Sequence, residues 1–362
     1  MTQRRPLILA ALAIVVIAIA LLLSRQHTPS ANADRDRPLY PELKAKLDSI
    51  DKVRVLKGGE TQIVAVERKG DDWSVTDRSG YPADASKIRK FLIATADAKL
   101  VEEKTSNPEN YAAIGVEDVT AATATGHRVE ISGAGAPVSL IVGKQAGRSS
   151  QYVRRAADKQ SWQISDSLDV PTTGDAWLRK DIIDIAADRI QSATVAIADG
   201  KPWSAVKASR ADTDFKVDGV PKGKELSSPS AANSIGSALA SLTLADVRKA
   251  SELQAQKPAA HATYKAFDGL VAEVDGWVQD GKHYIALTTA YDEALAQRFK
   301  APAAEPAKAP AADGKPAAPV AAERNVAEEV KAQNAQIAGW AYEIPDYKYE
   351  AIFKPIDEVL KK

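Results

Sequence analysis

One pattern occurs twice in this chain and constrains its fold more than any other feature. Residues 63–100 have the pattern of two short strands, a turn and an amphipathic helix, with Trp73 and Val75 in the second strand. Asp84 is a good N-cap for the helix. The apolar residues behind that cap share one helical face: Ile88, Phe91, Leu92 and Ala96. The stretch therefore predicts one α+β folding unit.

The second copy begins near residue 190. Phe215 and Val217 take the places of Trp73 and Val75, and Ser228-Pro229 supplies a helix cap with a first-turn proline. A helix behind it would bury Ile235, Leu239 and Leu242. The offset between the copies grows from 140 residues (Ile50 to Ile190) to 147 (Leu92 to Leu239), as loop insertions would produce.

We therefore predict an α+β protein with two tandem, duplicated repeats, residues 42–188 and 189–362, each with an antiparallel sheet and packed helices. The alternative is that two unrelated α+β stretches align by chance. Residues 42–50, before the sheet of the first repeat, have the pattern of a short helix. Gly58-Gly59 has the pattern of a hairpin turn. The further strands are predicted at 128–131, 138–142, 152–154 and 161–164, then at 263–267, 270–274, 283–288 and 340–344. Helices at 174–187, with Trp177, Leu178, Ile182 and Ile185 facing inward, and at 347–360 would close the repeats.

An Ala/Pro-rich insert, about residues 300–322, lengthens the second repeat. Its composition cannot bury a core, so it is predicted to be extended and disordered, between helices at 292–299 and 325–337. A tolerated surface insertion is the simpler interpretation, and reach toward a partner is the alternative.

The N-terminus has the pattern of a membrane anchor. Residues 1–6 form a short tail that carries Arg4 and Arg5, an unbroken apolar run follows from Leu7 to Leu23, and residues 24–41 form a linker. Positive residues before the run place the tail in the cytoplasm and the rest of the chain outside it. A signal peptide cleaved after Ala31-Asn32-Ala33 is the alternative, but the apolar run is longer than a usual signal core.

Composition excludes several classes of function. Lys plus Arg and Asp plus Glu both total 48, and no block of positive charge stands out, which argues against a nucleic-acid partner. The chain has no cysteine and hence no disulfide, thiolate nucleophile or lipid-attachment cysteine.

No motif in the sequence predicts catalytic, cofactor-binding or metal-binding residues. The four histidines, His27, His127, His261 and His283, lack the spacing of a helical zinc site. Residues 276–282, GWVQDGK, copy the start of a phosphate-binding loop, but His283 follows instead of Ser or Thr, so we interpret them as a hairpin turn. The paired carboxylates, including Asp71-Asp72 in a predicted exposed turn, are more simply solvated than catalytic.

Two of the six tryptophans, Trp203 and Trp277, lie next to predicted turns. They are the candidates for partner or glycan contact, although core packing is the default interpretation of both.

Several short stretches match a known family: Trp73, the Tyr-Pro-Ala-Asp stretch at 81–84, Thr-Ser-Asn-Pro at 105–108, Tyr111 to Gly115, Leu-Ile-Val-Gly at 140–143, Tyr-Val-Arg at 152–154 and Trp-Leu-Arg-Lys at 177–180. With the anchor, they make the chain resemble an uncharacterised domain family of bacterial membrane-anchored proteins that accompanies auxiliary ABC transporter components of the gliding-motility type. Residues 50–190 carry most of the resemblance. It implies an extracytoplasmic accessory role and brings no catalytic residues.

Three hypotheses for function follow. The first is a non-enzymatic accessory or adaptor protein of an ABC-type transport or envelope complex, anchored in the bacterial inner membrane, with permease or auxiliary subunits as partners. The second is a module that binds a glycan, lipid or peptide in a groove between the repeats. The third is an envelope hydrolase that uses a carboxylate pair.

Overall fold

The computed structural model describes residues 36–133, 135, 137–198, 200–300 and 324–362. The predicted tail, the anchor at Leu7–Leu23 and most of the linker lie outside these residues, as does the Ala/Pro-rich insert except for Lys300. None of the helices within the described residues is long and apolar enough to cross a bilayer. The chain divides into two compact units, the first ending at Trp177 and the second beginning at Leu178, whereas the predicted repeats meet at 188/189.

The first unit is built on a nine-stranded sheet whose neighbouring strands all pair antiparallel, in the order β4-β3-β2-β1-β6-β7-β8-β9-β5. Its elements are β1 (Lys52–Lys57), β2 (Thr61–Lys69), β3 (Asp72–Val75), β4 (Tyr81–Pro82), α1 (Ala85–Asp97), β5 (Leu100–Glu103), α2 (Tyr111–Ile114), β6 (His127–Ser132), β7 (Val138–Gln145), β8 (Gln151–Arg155) and β9 (Ser161–Ile164).

Alternating apolar residues set the register of this sheet. Val55 pairs with Val64 on one side and Val129 on the other, and all three side chains are buried. A shift of one residue would expose this whole face, so the register is strongly specified. The predicted hairpin turn is confirmed, with Gly59 at φ 74°, a conformation that glycine adopts without steric cost.

Helix α1 forms where the sequence predicts it. The Asp84 carboxylate accepts a hydrogen bond from the Lys87 backbone N–H at 3.0 Å, which satisfies one of the free donors of the first turn. The four side chains predicted for its apolar face, Ile88, Phe91, Leu92 and Ala96, are all buried. The Phe91 ring meets Trp177 edge to face with the ring centroids 6.1 Å apart, so the helix is held by core packing.

The second unit contains an eight-stranded antiparallel sheet in the order β13-β12-β11-β16-β17-β18-β19-β15 and a separate pair, β10-β14. Its elements are β10 (Asp181–Ile183), β11 (Ile190–Ile197), β12 (Trp203–Val206), β13 (Lys216–Asp218), β14 (Leu242–Thr243), β15 (Asp246–Lys249), β16 (Ala260–Ala266), β17 (Leu270–Gln279), β18 (Lys282–Tyr291), α3 (Glu293–Arg298), α4 (Val326–Ile337), β19 (Trp340–Ile344) and α5 (Asp346–Ile352).

The two large sheets use the same connectivity. In the first sheet, the run β3-β2-β1 lies beside the run β6-β7-β8-β9, and β5 pairs with β9 at the far edge. In the second sheet, the run β13-β12-β11 lies beside the run β16-β17-β18-β19, and β15 pairs with β19 at the far edge. The first sheet carries one further short strand, β4. The fold is thus mixed, with mostly antiparallel sheets and a few helices, as predicted.

The predicted helix at 174–187 is wrong. Residues Gly174–Trp177 make a single 3₁₀ turn, β10 follows, and Ala187–Arg189 make another 3₁₀ turn. The inward residues of the prediction, Trp177, Leu178, Ile182 and Ile185, are nevertheless all buried. The spacing of a short apolar run is compatible with a helix or a strand, and here the segment forms a strand because it pairs with β14.

The predicted helix after Ser228-Pro229 is also wrong. The segment contains turns and a 3₁₀ stretch, Asn233–Ser237, before Leu242 enters β14. Its Ser, Asn and Gly residues favour turns over helix interior. The apolar residues Ile235, Leu239 and Leu242 are buried as expected, so burial was predicted correctly and geometry was not.

Two predicted helices are shorter or tighter than expected. The helix at 42–50 is a 3₁₀ segment, Lys44–Ser49, and the closing helix at 347–360 is reduced to α5 and a 3₁₀ turn, Ile356–Glu358. Pro355 stands between the last two, where its ring and missing N–H prevent a continuous helix. Helices α3 and α4 match their predictions at 292–299 and 325–337.

Candidate functional site

Both tryptophans named as candidates for partner contact are buried, in agreement with the default interpretation of core packing. Trp203 is 3% and Trp277 4% exposed. Each indole N–H donates to a backbone carbonyl: Trp203 to Lys354 at 2.9 Å and Trp277 to Gln256 at 3.0 Å. A position beside a turn does not reveal which distant segment covers the ring, so the sequence could not identify these two carbonyl partners.

The stretch that copies a phosphate-binding loop is a hairpin, as interpreted. Residues 276–282 run from β17 into β18, and the turn places Asp280 at φ 54° and Gly281 at φ 73°. Gly276 lies within β17, where a Cβ atom would stand 2.5 Å from the Phe353 ring and 2.8 Å from the Tyr349 hydroxyl. The glycine therefore serves close packing under α5.

The carboxylates do not build an evident catalytic centre in the described residues. Asp71 and Asp72 are exposed at the β2–β3 turn, as predicted. Asp184 accepts a hydrogen bond from the Ser241 backbone N–H at 2.7 Å, and Asp346 lies 2.8 Å from His283. Across the described part of the chain, no three His, Asp or Glu side chains are grouped to hold a metal ion.

Sequence spacing missed a histidine held between two acids on β16 and β17. His261 Nδ1 lies 2.8 Å from Asp275 and its Nε2 2.9 Å from Glu273, and Thr263 donates to Glu273 at 2.7 Å. These contacts follow from cross-strand register, which pairs His261 with Asp275. The ring and both carboxylates are 42–47% exposed, so the group is a polar cluster on the surface.

The strongest candidate site is a cavity of about 510 Å³ in the second unit, within the usual size range of ligand pockets. We call it the Phe267 cavity. Its walls include one carboxylate, Asp268, together with three cationic and three aromatic side chains. The cations are Arg210, Lys300 and Arg324, and the aromatic residues are Phe267, Tyr291 and Phe299.

Several separate segments bring these side chains together. Phe267 directly follows β16, and its backbone N–H donates to the Arg189 carbonyl at 2.8 Å. Tyr291 ends β18, and Phe299 directly follows α3, whose first turn is capped by Asp292. Arg324 comes just before the capping residue of α4. Strand pairing and helix caps therefore fix most of the cavity walls.

Two of the three aromatic side chains pack against each other, and arginines lie over both rings. Phe267 and Phe299 meet edge to face with the ring centroids 5.0 Å apart. The Arg210 guanidinium lies 5.0 Å from the Phe267 centroid and that of Arg298 lies 5.4 Å from Phe299. Phe267 is almost fully buried, whereas Tyr291 is 41% exposed and stands at the mouth. Such cation–aromatic stacks combine positive charge with apolar surface.

A buried arginine stabilises the wall beneath this surface. Arg189 is 6% exposed; its Nε donates to Asp268 at 2.9 Å, and its two terminal nitrogens donate to Glu329 at 2.8 and 3.2 Å. Burial alone would lower the pKa of Arg189, but the hydrogen bonds that it donates to both carboxylates outweigh burial and raise the pKa. The bidentate hydrogen bonds to Glu329 link Arg189 to α4, and the hydrogen bond from Nε to Asp268 holds the turn after β16 in place.

A second groove, of about 400 Å³, lies beside α1 in the first unit. Its lining is mostly apolar, and its cations have local partners: Lys87 lies 3.9 Å from Asp84, and Lys90 3.8 Å from Asp169. It therefore offers less unused charge than the Phe267 cavity.

Sequence reasoning did not find the Phe267 cavity. The helices flanking the insert were predicted, which placed Phe299 and Asn325 at helix ends, but nothing in the spacing links Arg210 to them. Cations do stand at the two ends of the insert, Arg298 and Lys300 before it and Arg324 after it, but Glu323 adjoins Arg324, so no cluster of positive charge marks the site in the sequence.

Comparison with known proteins assigns a family. A family model described as "Domain of unknown function (DUF4340)" matches residues 73–264, from β3 in the first unit to β16 in the second. No curated protein and no solved structure matches the chain significantly. Because the family model covers more than half of the 362 residues, the chain belongs to the DUF4340 family of domains of unknown function.

Proposed function

We propose that this protein is a non-enzymatic, extracytoplasmic accessory or adaptor subunit of an ABC-type transport or envelope complex. Residues 7–23 would anchor it in the bacterial inner membrane, and permease or auxiliary subunits would be its partners. The proposal rests on the apolar N-terminal run, the likeness to a family that accompanies such transporters, and the binding character of the Phe267 cavity.

The composition of the Phe267 cavity is the observation that carries this proposal. Among its described lining residues there is no histidine, serine or threonine, and the one carboxylate, Asp268, is held by Arg189. A nucleophile with an adjacent base, or two carboxylates with separated pKa values, is what hydrolytic chemistry requires. Cations over aromatic rings instead suit recognition.

The common strand order of the two large sheets supports the inferred internal duplication. A duplicated scaffold provides two similar surfaces without needing a reaction centre in either, which fits a scaffold or adaptor role.

The test is affinity purification of the tagged full-length chain from detergent-solubilised bacterial membranes. We expect permease or auxiliary transporter subunits in the eluate and not in that from untagged membranes. Recovery of the chain alone, in several mild detergents and after in-cell cross-linking, would contradict the adaptor role.

A binding module for a glycan, lipid or peptide is the second candidate, and the same cavity favours it. In that case the purified chain would carry or bind its ligand without any transporter subunit. Mass spectrometry of organic extracts of the purified chain distinguishes the binding module from the adaptor, because only the binding-module hypothesis predicts a bound small molecule in stoichiometric amount. An envelope hydrolase is the least supported alternative, since its carboxylate pair has no candidate among the described cavity walls.

A further inference from the structure

We propose that the Phe267 cavity binds an acidic peptide segment of a partner protein, with an aromatic or large aliphatic side chain inside the cavity and carboxylates on the surrounding cations. The inference rests on the proposed adaptor function for the kind of partner, a protein, and it names the chemistry of the segment that is recognised.

Local charge is the first argument. Arg210, Lys300 and Arg324 line the cavity and are exposed, although the whole chain carries equal numbers of acidic and basic residues. Asp268, the one acid among the described lining residues, is engaged by the buried Arg189. The cavity therefore presents net positive charge to a ligand, and an acidic ligand is complementary to it.

The aromatic surface is the second argument. Phe299 and Tyr291 present apolar surface to the cavity, with the Tyr291 ring exposed at the mouth, and the buried Phe267 ring supports Phe299 by edge-to-face packing. A buried aromatic or aliphatic anchor surrounded by polar contacts is the usual arrangement of a hot spot in protein recognition. A purely ionic ligand would leave this surface unused.

The combination of charge and aromatic surface favours a peptide over an isolated phosphate. Arg210 lies between β12 and β13, Lys300 after α3, and Arg324 before α4, so three segments bring positive charge to the same cavity. A phosphate group would use the cations alone and leave the aromatic rings without contact. A short acidic segment that carries one large apolar side chain uses both, and displacement by a phospholipid is an outcome of the test.

The experiment measures binding of a fluorescein-labelled acidic hexapeptide, four glutamates around two phenylalanines, to the full-length chain in detergent micelles. We expect fluorescence anisotropy to give a Kd below about 1 mM that rises with NaCl, because salt screens exposed charges. The same peptide with lysines for glutamates, or alanines for phenylalanines, should bind at least several-fold more weakly.

Variants locate the site. The double variant Arg210→Gln/Arg324→Gln should weaken peptide binding roughly tenfold, since each exposed ion pair contributes roughly two- to fivefold. Lys222→Gln, an exposed cation elsewhere in the same unit, is the matched control and should bind like the wild type. Phe299→Ala, which removes one wall ring, should weaken binding independently of salt.

No binding of the acidic peptide at 1 mM, equal binding of the lysine peptide, or equal affinity of the double variant would each overturn the inference. So would displacement of the peptide by micellar phosphatidylglycerol with higher affinity than by unlabelled peptide, which would assign the site to lipid. Peptide binding without any transporter subunit in the membrane purification would overturn the adaptor role alone. Recovery of such subunits by a chain that fails to bind the peptide would overturn this inference alone.

Discussion

At the scale of single residues, Arg189 connects the fold to the candidate site. It is buried between Asp268, at the turn after β16, and Glu329 on α4, and both carboxylates are about 22% exposed. Removing one member of such a group leaves the remaining charges without compensation, at a typical cost of about 3–5 kcal/mol.

We therefore expect Arg189→Ala to lower the free energy of unfolding by about 3 kcal/mol, near the lower end of that range because the carboxylates keep some contact with water. Urea unfolding of the full-length chain measures the change, and hydrogen exchange should show lost protection at β16 and α4. Lys44→Ala is the control: its ion pair with Asp97 is exposed, and its loss should cost less than about 1 kcal/mol. Equal effects of the two variants would contradict the role assigned to Arg189.

Residue-level predictions from sequence succeeded where the cause is local and failed where it is not. Asp84 was identified as a helix cap because capping involves only the next three residues. Core packing is the default interpretation of Trp203, but its hydrogen-bond partner, the carbonyl of Lys354 151 positions away, could not be predicted. No spacing rule reaches that far.

At the scale of elements, α5 packs on the sheet of the second unit through aromatic side chains. Tyr349 stacks against His283 and Phe353, with ring centroids 4.4 and 4.7 Å apart, and Tyr264 donates to the Ile352 carbonyl at 2.8 Å. The space left by the absent side chain of Gly276 accommodates this contact.

Gly276→Ala should therefore destabilise the second unit by about 1–3 kcal/mol, because the added methyl group overpacks the contact between β17 and α5. Thermal unfolding and hydrogen exchange at α5 test this. Gly200→Ala is the control, since a Cβ there would meet its nearest atom at an ordinary 3.6 Å and the backbone is not left-handed. An unchanged melting temperature for Gly276→Ala would disprove the packing role.

Helices and strands were predicted correctly where their own residues show a clear apolar pattern, and missed where they do not. Strands such as Trp340–Ile344 were predicted correctly from apolar and aromatic clustering. The edge strands β5 and β15 were missed because they carry Glu102, Glu103, Arg248 and Lys249, and an edge strand needs backbone pairing more than apolar alternation. The predicted helix at 174–187 is replaced in part by a strand that pairs with β14. The predicted helix after Ser228-Pro229 does not form because many Ser and Gly residues outweigh its apolar spacing.

At the scale of the whole molecule, buried tyrosines make stability sensitive to high pH. Burial raises the pKa of Tyr349 to about 12, and burial also raises the pKa values of Tyr40 and Tyr264 well above 10. Below pH 10 these phenols are protonated in both states. Above pH 10 the unfolded chain loses these protons while the folded chain keeps them, so the free energy of unfolding falls as pH rises from 10 to 12.

We expect the urea midpoint of the wild type to fall over that range, and Tyr349→Phe to fall less steeply because one raised pKa is absent. At pH 7 the two proteins should differ little, since the ring is retained. Tyr347→Phe, whose ring is 66% exposed, is the matched control. Identical pH profiles for wild type and Tyr349→Phe would contradict the linkage.

The sequence predicted two α+β halves from repeated local patterns, and the strand order of both sheets agrees with that organisation. It did not predict the Phe267 cavity, because the walls come from segments between residues 210 and 327 that meet only in the tertiary structure. A binding site built by tertiary structure, without a motif of its own, has no signature in one sequence.

The most direct test of a partner-binding Phe267 cavity is site-specific photo-cross-linking in living cells. Benzoylphenylalanine would replace either Tyr291, at the cavity mouth, or the exposed Tyr347 in the same unit. We predict a cross-linked adduct of defined mass from position 291, lost in the Arg210→Gln/Arg324→Gln background, and none from position 347. No adduct from position 291, or the same adducts from both positions, would contradict the role of the cavity in partner binding.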